Sequence, residues 1–312
     1  MSVEQTIPVV DLRDYTEGDA PRRDAFVQKF GDALKEFGFV AVEGHGVSRD
    51  LIYGAYDAFQ DFFALEDDVK RQYENAEGGR KRGYTSFGVE HAKDNAKPDL
   101  KEFFHLGREE RAEGVTANLW PQAEAPQVQT SGSDLFEAMD ACAQKMLEAV
   151  SIYLGCEPDF LPEMARGGDS IVRVIHYPVC DGFDEPGKMR AAQHEDINLM
   201  TLLPESTESG LELLTREGEW LPIHAIEGQM IVDTGDMMQR ITNGLLPATT
   251  HRVVNPAGEP TPRYSMPFFV HPRPEVMLEV LDVCLAEGEE PKDTPVTAEE
   301  YLNERLRANG VK

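Results

Sequence analysis

The period of the apolar positions changes several times along this chain. Between Pro21 and Phe37, the residues Phe26, Phe30, Ala33 and Phe37 recur at helical spacing, which predicts a helix. Phe39-Val40-Ala41-Val42 is a continuous apolar run closed by Gly44-His45-Gly46, and predicts a short buried strand with His45 in its turn. Ser48 is placed to cap a second helix running through Phe63, with Leu51, Ile52, Phe59, Phe62 and Phe63 as its core stripe. A long helix is predicted from Ser133 to Leu154, with Phe136, Met139, Ala143, Met146, Val150 and Tyr153 on one side and Gly155 as its stop. Ile7–Leu12, Glu102–Leu106 and Ser170–Tyr177 read as strands. In the last of these, Arg173, Ile175 and Tyr177 share one face, because alternate side chains of a strand point the same way.

From His194 onward the pattern shortens. The apolar run Ile197–Leu203 is followed by strand-like segments over Leu211–Leu214, Trp220–Ile223, Met230–Asp233 and Gln239–Thr242, with glycine-bearing turns between them. Many short strands with regular turns predict a sandwich or barrel. The stretch after Val276 is acidic and ends in a predicted helix over Thr297–Ala308, expected to cover the barrel or its mouth. No linker or internal repeat interrupts the chain. It reads as a single domain over 1–312: an N-terminal helical and mixed region (1–165), a β core (166–275) and a C-terminal tail with a helix (276–312).

The 312 residues are 41% hydrophobic and 28% charged, enough apolar content for a sizeable core. No apolar run reaches the roughly 18 residues of a membrane span, and the first residues lack the basic and apolar parts of a signal peptide. Cys142, Cys156, Cys180 and Cys284 are scattered without paired spacing, which predicts reduced thiols and a cytoplasmic location. The formal net charge of −27, from 57 acidic and 30 basic residues, argues against nucleic acid and anionic membranes as partners. No protein partner is implied.

Candidate chemistry starts at His194-Glu195-Asp196. On a strand, His194 and Asp196 share a face and Glu195 turns away. A second histidine, His251, opens another strand-like run. Two imidazoles and one carboxylate form the facial triad of non-haem Fe(II) oxygenases, which leaves coordination positions open. Arg263 and Ser265 are again an i, i+2 pair, and an arginine fork with a hydroxyl suits a carboxylate. The linker Asn255-Pro256-Ala257-Gly258-Glu259-Pro260 reads as a turn. The His251 and Arg263 strands are therefore expected to pair as a hairpin, with Arg263 and Ser265 beside His251. Asn198, two residues past Asp196, is expected on the same inner face, where it would orient substrate or a ligand. His176, His224 and His271 have no partner spacing and read as structural. The Gly- and Lys-rich stretch 75–99 reads as a loop over the barrel mouth, with Arg80, Arg82, Tyr84, Phe87 and His91 as candidate substrate contacts and Arg173 as another.

With these residues in hand, the chain resembles a bacterial member of the isopenicillin N synthase-like family of 2-oxoglutarate- and Fe(II)-dependent dioxygenases. The resemblance is carried by His194-x-Asp196, His251 and Arg263-x-Ser265, supported by Ile7-Pro8-Val9-Val10-Asp11-Leu12, Gly38-Phe39-Val40, Asp99-Leu100-Lys101-Glu102, Asn118-Leu119-Trp120-Pro121 and Asn243-Gly244. It implies an α+β, mainly β fold: a double-stranded β-helix (jelly roll) with N-terminal and flanking helices. It implies Fe(II) on His194, Asp196 and His251. It further implies 2-oxoglutarate held by Arg263, Ser265 and Tyr177, and O₂ as co-substrate. The reaction it implies couples decarboxylation of 2-oxoglutarate to succinate and CO₂ with hydroxylation or desaturation of a small molecule. One branch of the family works as Fe(II) oxidases of the isopenicillin N synthase or ethylene-forming type, without the usual use of 2-oxoglutarate, and the sequence leaves that alternative open.

Overall fold

The structure is a computed structural model describing residues 6–76, 80–90, 98–110, 116–180, 188–224, 226–255, 259 and 261–308. Thirteen strands build its two main sheets. They are β1 (Val9–Asp11), β2 (Phe39–Glu43), β3 (Gly83–Thr85), β4 (Glu102–Gly107), β5 (Ile171–Tyr177), β6 (Ala191–His194) and β7 (Met200–Pro204), followed by β8 (Leu211–Leu214), β9 (Trp220–Pro222), β10 (Met230–Thr234), β11 (His251–Val253), β12 (Arg263–Ser265) and β13 (Phe268–Val270). The larger sheet has the order β1-β2-β10-β7-β13-β5-β4-β3, with β12 also on β5; the smaller has the order β6-β11-β8-β9. In the large sheet the early strands β1, β2, β3 and β4 lie at the two ends and flank the later strands β10, β7, β13 and β5.

Strand alternation divides the core in two. On β5, Val172 and Val174 join Phe104, Leu202, Val232 and Phe268 in one cluster with the helices. Ile175 and Tyr177 face the other way. They pack with Phe103 and Ile231 of their own sheet and with Leu213 and Val253 of the smaller one. The two sheets thus meet over their inner faces, and helices cover the outer face of the larger.

The helices are α1 (Leu12–Thr16), α2 (Ala20–Phe37), α3 (Arg49–Phe63), α4 (Asp67–Lys70), α5 (Gln127–Tyr153), α6 (Phe160–Ala165), α7 (Asp236–Ile241) and α8 (Ala298–Ala308). Ser48 caps α3 through Leu51 N–H at 3.2 Å. Gly38 ends α2 at φ 70°, where a Cβ would lie 2.2 Å from Thr249 Oγ1. On α3, Phe62 meets Phe104 edge-on at 5.2 Å between ring centroids.

Four expectations need correction. The predicted strand Gln239–Thr242 lies in and just past helix α7, whose buried Met237, Met238 and Ile241 follow helical spacing. Helix α5 begins at Gln127 rather than Ser133. Its Gly132 is not a breaker: it gives room for close packing, since a Cβ there would lie 3.0 Å from Leu106 Cδ2. The first strand stops at Asp11, whose carboxylate caps α1. Finally, β11 and β12 do not form a hairpin. β11 pairs with β6 and β8, while β12 pairs with β5, bringing Arg263 opposite Tyr177.

Candidate active site

The smaller sheet sets the first group. β6 and β11 are antiparallel with His251 opposite His194. β6 ends at His194, so Asp196 lies just beyond the strand rather than on it. Its position is fixed locally instead. Asp196 carbonyl accepts Asp236 N–H at 2.8 Å. Its carboxylate accepts the Thr201 hydroxyl, which in turn accepts Asn198 Nδ2 at 2.9 Å. Asp196 Oδ1 lies 3.9 Å from His194 Nε2 and 3.8 Å from His251 Nε2. Two donors on one ion with bonds of about 2.1 Å are at most ~4.2 Å apart, so both pairs can bridge a single metal. Each imidazole is oriented for this. His194 Nδ1 faces the Ala192 carbonyl at 2.7 Å and His251 Nδ1 faces the Thr249 carbonyl at 3.2 Å. Donation from Nδ1–H leaves Nε2 as the free lone pair. Burial, with the His251 ring next in effect, pushes the His194 pKa down to about 4, which keeps that imidazole neutral and able to ligate. Among the described residues this is the one group of three metal-ligating side chains within reach of one another.

The second group lies between the sheets. Arg263 is 1% exposed; its Nε donates to Glu208 carbonyl and its Nη1 to Ser265 Oγ, both at 3.0 Å. The guanidinium carbon lies 5.1 Å from the Tyr177 ring. Arg263 makes no ion pair with a described residue, so a buried cation here has only neutral partners. Arg190, also buried, sits 6.0 Å from the same ring. Burial, and next the charge of Arg263, lower the Arg190 pKa.

A cavity of about 210 Å³ opens beside the first group. Its wall includes His194, Asp196 and Asn198, with Phe103, His105 and Arg173 from β4 and β5 and Phe269 from β13. Leu302 and Leu306 of α8 form part of one side. Arg305 on the same helix ties it to Asp236 at 2.6 Å. Burial still raises the Asp236 pKa to about 6.

The sequence comparisons agree with this geometry. The model of the 2OG-Fe(II) oxygenase superfamily matches residues 168–272, and that of the non-haem dioxygenase N-terminal region matches residues 7–123. The 2-oxoglutarate-dependent dioxygenase caaD of Aspergillus niger is 30% identical over 85% of this chain and 84% of its own. A crystal structure of a 2OG-Fe(II) oxygenase family protein from Caulobacter crescentus superposes with a TM-score of 0.86 at 37% identity, covering 97% of this chain and 99% of that one. The chain belongs to the 2OG-Fe(II) oxygenase superfamily. It is a 2-oxoglutarate- and Fe(II)-dependent dioxygenase, and superfamily members act on small molecules. A full-length Neurospora crassa protein crystallised in complex with α-KG and thymine superposes on the oxygenase at TM-score 0.88 and 25% identity, covering 98% of each chain.

The candidate substrate contacts divide in this oxygenase. Arg173, Asn198, Arg80 and Arg82 line the cavity. Tyr84 does not: it is buried on the helix side of the sheet, its hydroxyl on Glu102 and its ring against Phe62 at 5.8 Å. Phe87 is 41% exposed and outside the cavity wall. His91 lies outside the described residues. Glu195 does not turn away: the strand ends before it, and it lines the cavity while accepting the Thr250 hydroxyl. His271 also faces the cavity, its buried Nδ1 without a hydrogen-bond partner among the described residues. His176 is structural as expected, held by Glu102 at 2.7 Å and stacked on Tyr264. Sequence reasoning missed Arg190, Lys101, His105 and Phe269 as site residues. Only Lys101 carried a signal, within the Asp99-Leu100-Lys101-Glu102 stretch.

Proposed function

We propose that His194, Asp196 and His251 hold the Fe(II) of this dioxygenase, and that Arg263, Ser265 and Tyr177 hold the distal carboxylate of 2-oxoglutarate. The observation that carries the reading is the pairing of two incomplete sites. Three donors converge on one point, and between the sheets the buried Arg263 guanidinium makes no ion pair with a described residue. A buried charge without a countercharge costs several kcal/mol, and a dianion bridging both sites relieves that cost. When bound, the iron and O₂ supply the oxidation and 2-oxoglutarate the electrons. The chain's own residues do the rest. Nδ1–H donation to Ala192 and Thr249 carbonyls aims the two imidazoles. Thr201 and Asn198 fix the Asp196 carboxylate. Phe103, Phe269, Leu302 and Leu306 limit water in the cavity.

The packed pair of sheets supports reading the core as a double-stranded β-helix, and one sheet shared by early and late strands supports a single domain over 1–312. Cys142, Cys156 and Cys284 are free thiols, which fits a reducing, cytoplasmic setting. No described helix is long and apolar enough to cross a membrane. The test is iron content after anaerobic reconstitution, measured with succinate formation, in wild type and in His194→Ala, Asp196→Ala and His251→Ala. The reading expects one iron per wild-type chain and loss of both iron and succinate in each variant. Wild-type iron content in Asp196→Ala would overturn it.

A further inference from the structure

The cavity beside the donor cluster is charged unlike the rest of the chain. Its wall carries five of the 30 basic residues, Arg80, Lys81, Arg82, Lys101 and Arg173, against five of the 57 acidic ones. One of those acids, Asp196, belongs to the donor cluster. An acidic protein has therefore gathered cations where its substrate must enter.

Most of the buried cations are matched. Arg82 pairs with Asp169 at 2.5 Å. Lys101 pairs with Glu90 at 2.8 Å and Asp99 at 2.9 Å. Arg173 is held differently. Its Nε donates to His105 Nε2 at 2.6 Å. His105 Nδ1 lies 2.9 Å from the Arg80 carbonyl and must donate there, which leaves Nε2 as an acceptor. The imidazole is thus neutral and aims the guanidinium without offsetting its charge. Arg173 Nη1 reaches Glu90 at 3.2 Å, on the same oxygen that Lys101 holds more closely. Nη2 makes no hydrogen bond to a described residue. The guanidinium carbon lies 4.5 Å from the Phe103 ring and 5.4 Å from the Phe269 ring. Glu90 thus occupies, through one shared oxygen, an arginine edge built to take two.

We propose that Arg173 anchors the organic substrate, and that this substrate carries a carboxylate which takes the guanidinium edge from Glu90 while its carbon skeleton packs on Phe103 and Phe269. A planar carboxylate matches the fork, and Glu90, still held by Lys101, keeps a partner when displaced. The inference rests on the iron and 2-oxoglutarate assignments above.

The probes are matched acids and primary amides: benzoate and benzamide, 3-phenylpropionate and 3-phenylpropionamide, L-proline and L-prolinamide. Each is titrated into the anaerobic Fe(II)·2-oxoglutarate protein, following the shift of the metal-to-ligand absorption band. The expected result is at least one acid binding about tenfold or more tightly than its amide, as for a hydrogen bond to a charged group. Arg173→Ala removes that preference and keeps the 2-oxoglutarate band. Glu90→Gln tightens the acid several-fold and leaves the amide unchanged, a gain that misfolding cannot produce. Amides binding as well as acids, no acid shifting the band, or weaker acid binding in Glu90→Gln overturns the proposal. Absence of any 2-oxoglutarate band in wild type overturns the iron and co-substrate assignments together with it.

Discussion

Arg263 and Arg173 lie on paired and neighbouring strands of one sheet, yet the fold treats them in opposite ways. Arg263 is 1% exposed and is given a carbonyl and a hydroxyl, neither of which offsets its charge. The Arg173 side chain is 20% exposed and shares a carboxylate with Lys101. The first arrangement is costly when empty and strongly favourable when an anion arrives. The second is comfortable at rest and can exchange partners. The difference matches the roles proposed for them: a co-substrate common to every turnover would meet a fixed, dry clamp, and a variable organic substrate would meet an edge already screened.

The largest effect should come from the donors that both arginines depend on. Asp196→Ala or His251→Ala should weaken iron binding by more than the ~100-fold that outlying partners of a metal site cost, as read by equilibrium metal titration. His176→Ala, on the far face of β5, should leave iron content unchanged. Next, Arg263→Ala should lower 2-oxoglutarate affinity by roughly 30- to 4,000-fold, equal to ~2–5 kcal/mol for one partner of a buried charge pair. Arg263→Lys should recover only part of it, because a point charge lacks the fork. An alanine and lysine pair of equal affinity would remove the distinction between the two arginines. Ser265→Ala should cost about 10- to 150-fold, or ~1.5–3 kcal/mol, for one hydrogen bond to a charged group.

On the cavity side, Thr201→Val removes the hydroxyl that holds Asp196 and should cut iron affinity by about 10- to 100-fold while sparing the clamp. The smallest effect concerns His271. Burial pushes its pKa down to about 4. From about pH 6.5 to pH 4 the unfolded imidazole binds a proton that the folded one refuses, so stability falls as the pH drops through that window. In chemical unfolding of metal-free protein, His271→Gln should flatten this part of the pH dependence. An unchanged slope would mean that His271 does not stay neutral in the folded state.

The sequence made the donor cluster legible because metal ligation demands residue types that leave few alternatives: His194, Asp196 and His251 converge as expected. Strand alternation stops at His194, and the loop after it, tied to α7 and Thr201, aims Asp196. The family resemblance assigns both Tyr177 and Arg263 to the clamp. Their register opposite one another on β5 and β12 was hidden, because pairing between strands so far apart in the chain leaves no local trace. Arg190 was missed for the same reason. The cavity wall was least legible. Arg173 shares its β5 face with Tyr177, but Tyr84, two residues from Arg82, points into the helical core: Arg82 lies before β3 and does not follow its alternation. Phe269 and His105 look like ordinary core positions until the sheets are folded together.

The most direct test of the central claim separates the two ends in one protein. Arg263→Ala is reconstituted with Fe(II) without oxygen, its iron is counted, and 2-oxoglutarate is titrated while the metal-to-ligand band is followed. The account predicts iron content equal to wild type and a band that appears only at much higher 2-oxoglutarate concentration. A wild-type 2-oxoglutarate titration in this variant, or loss of its iron, would contradict the account.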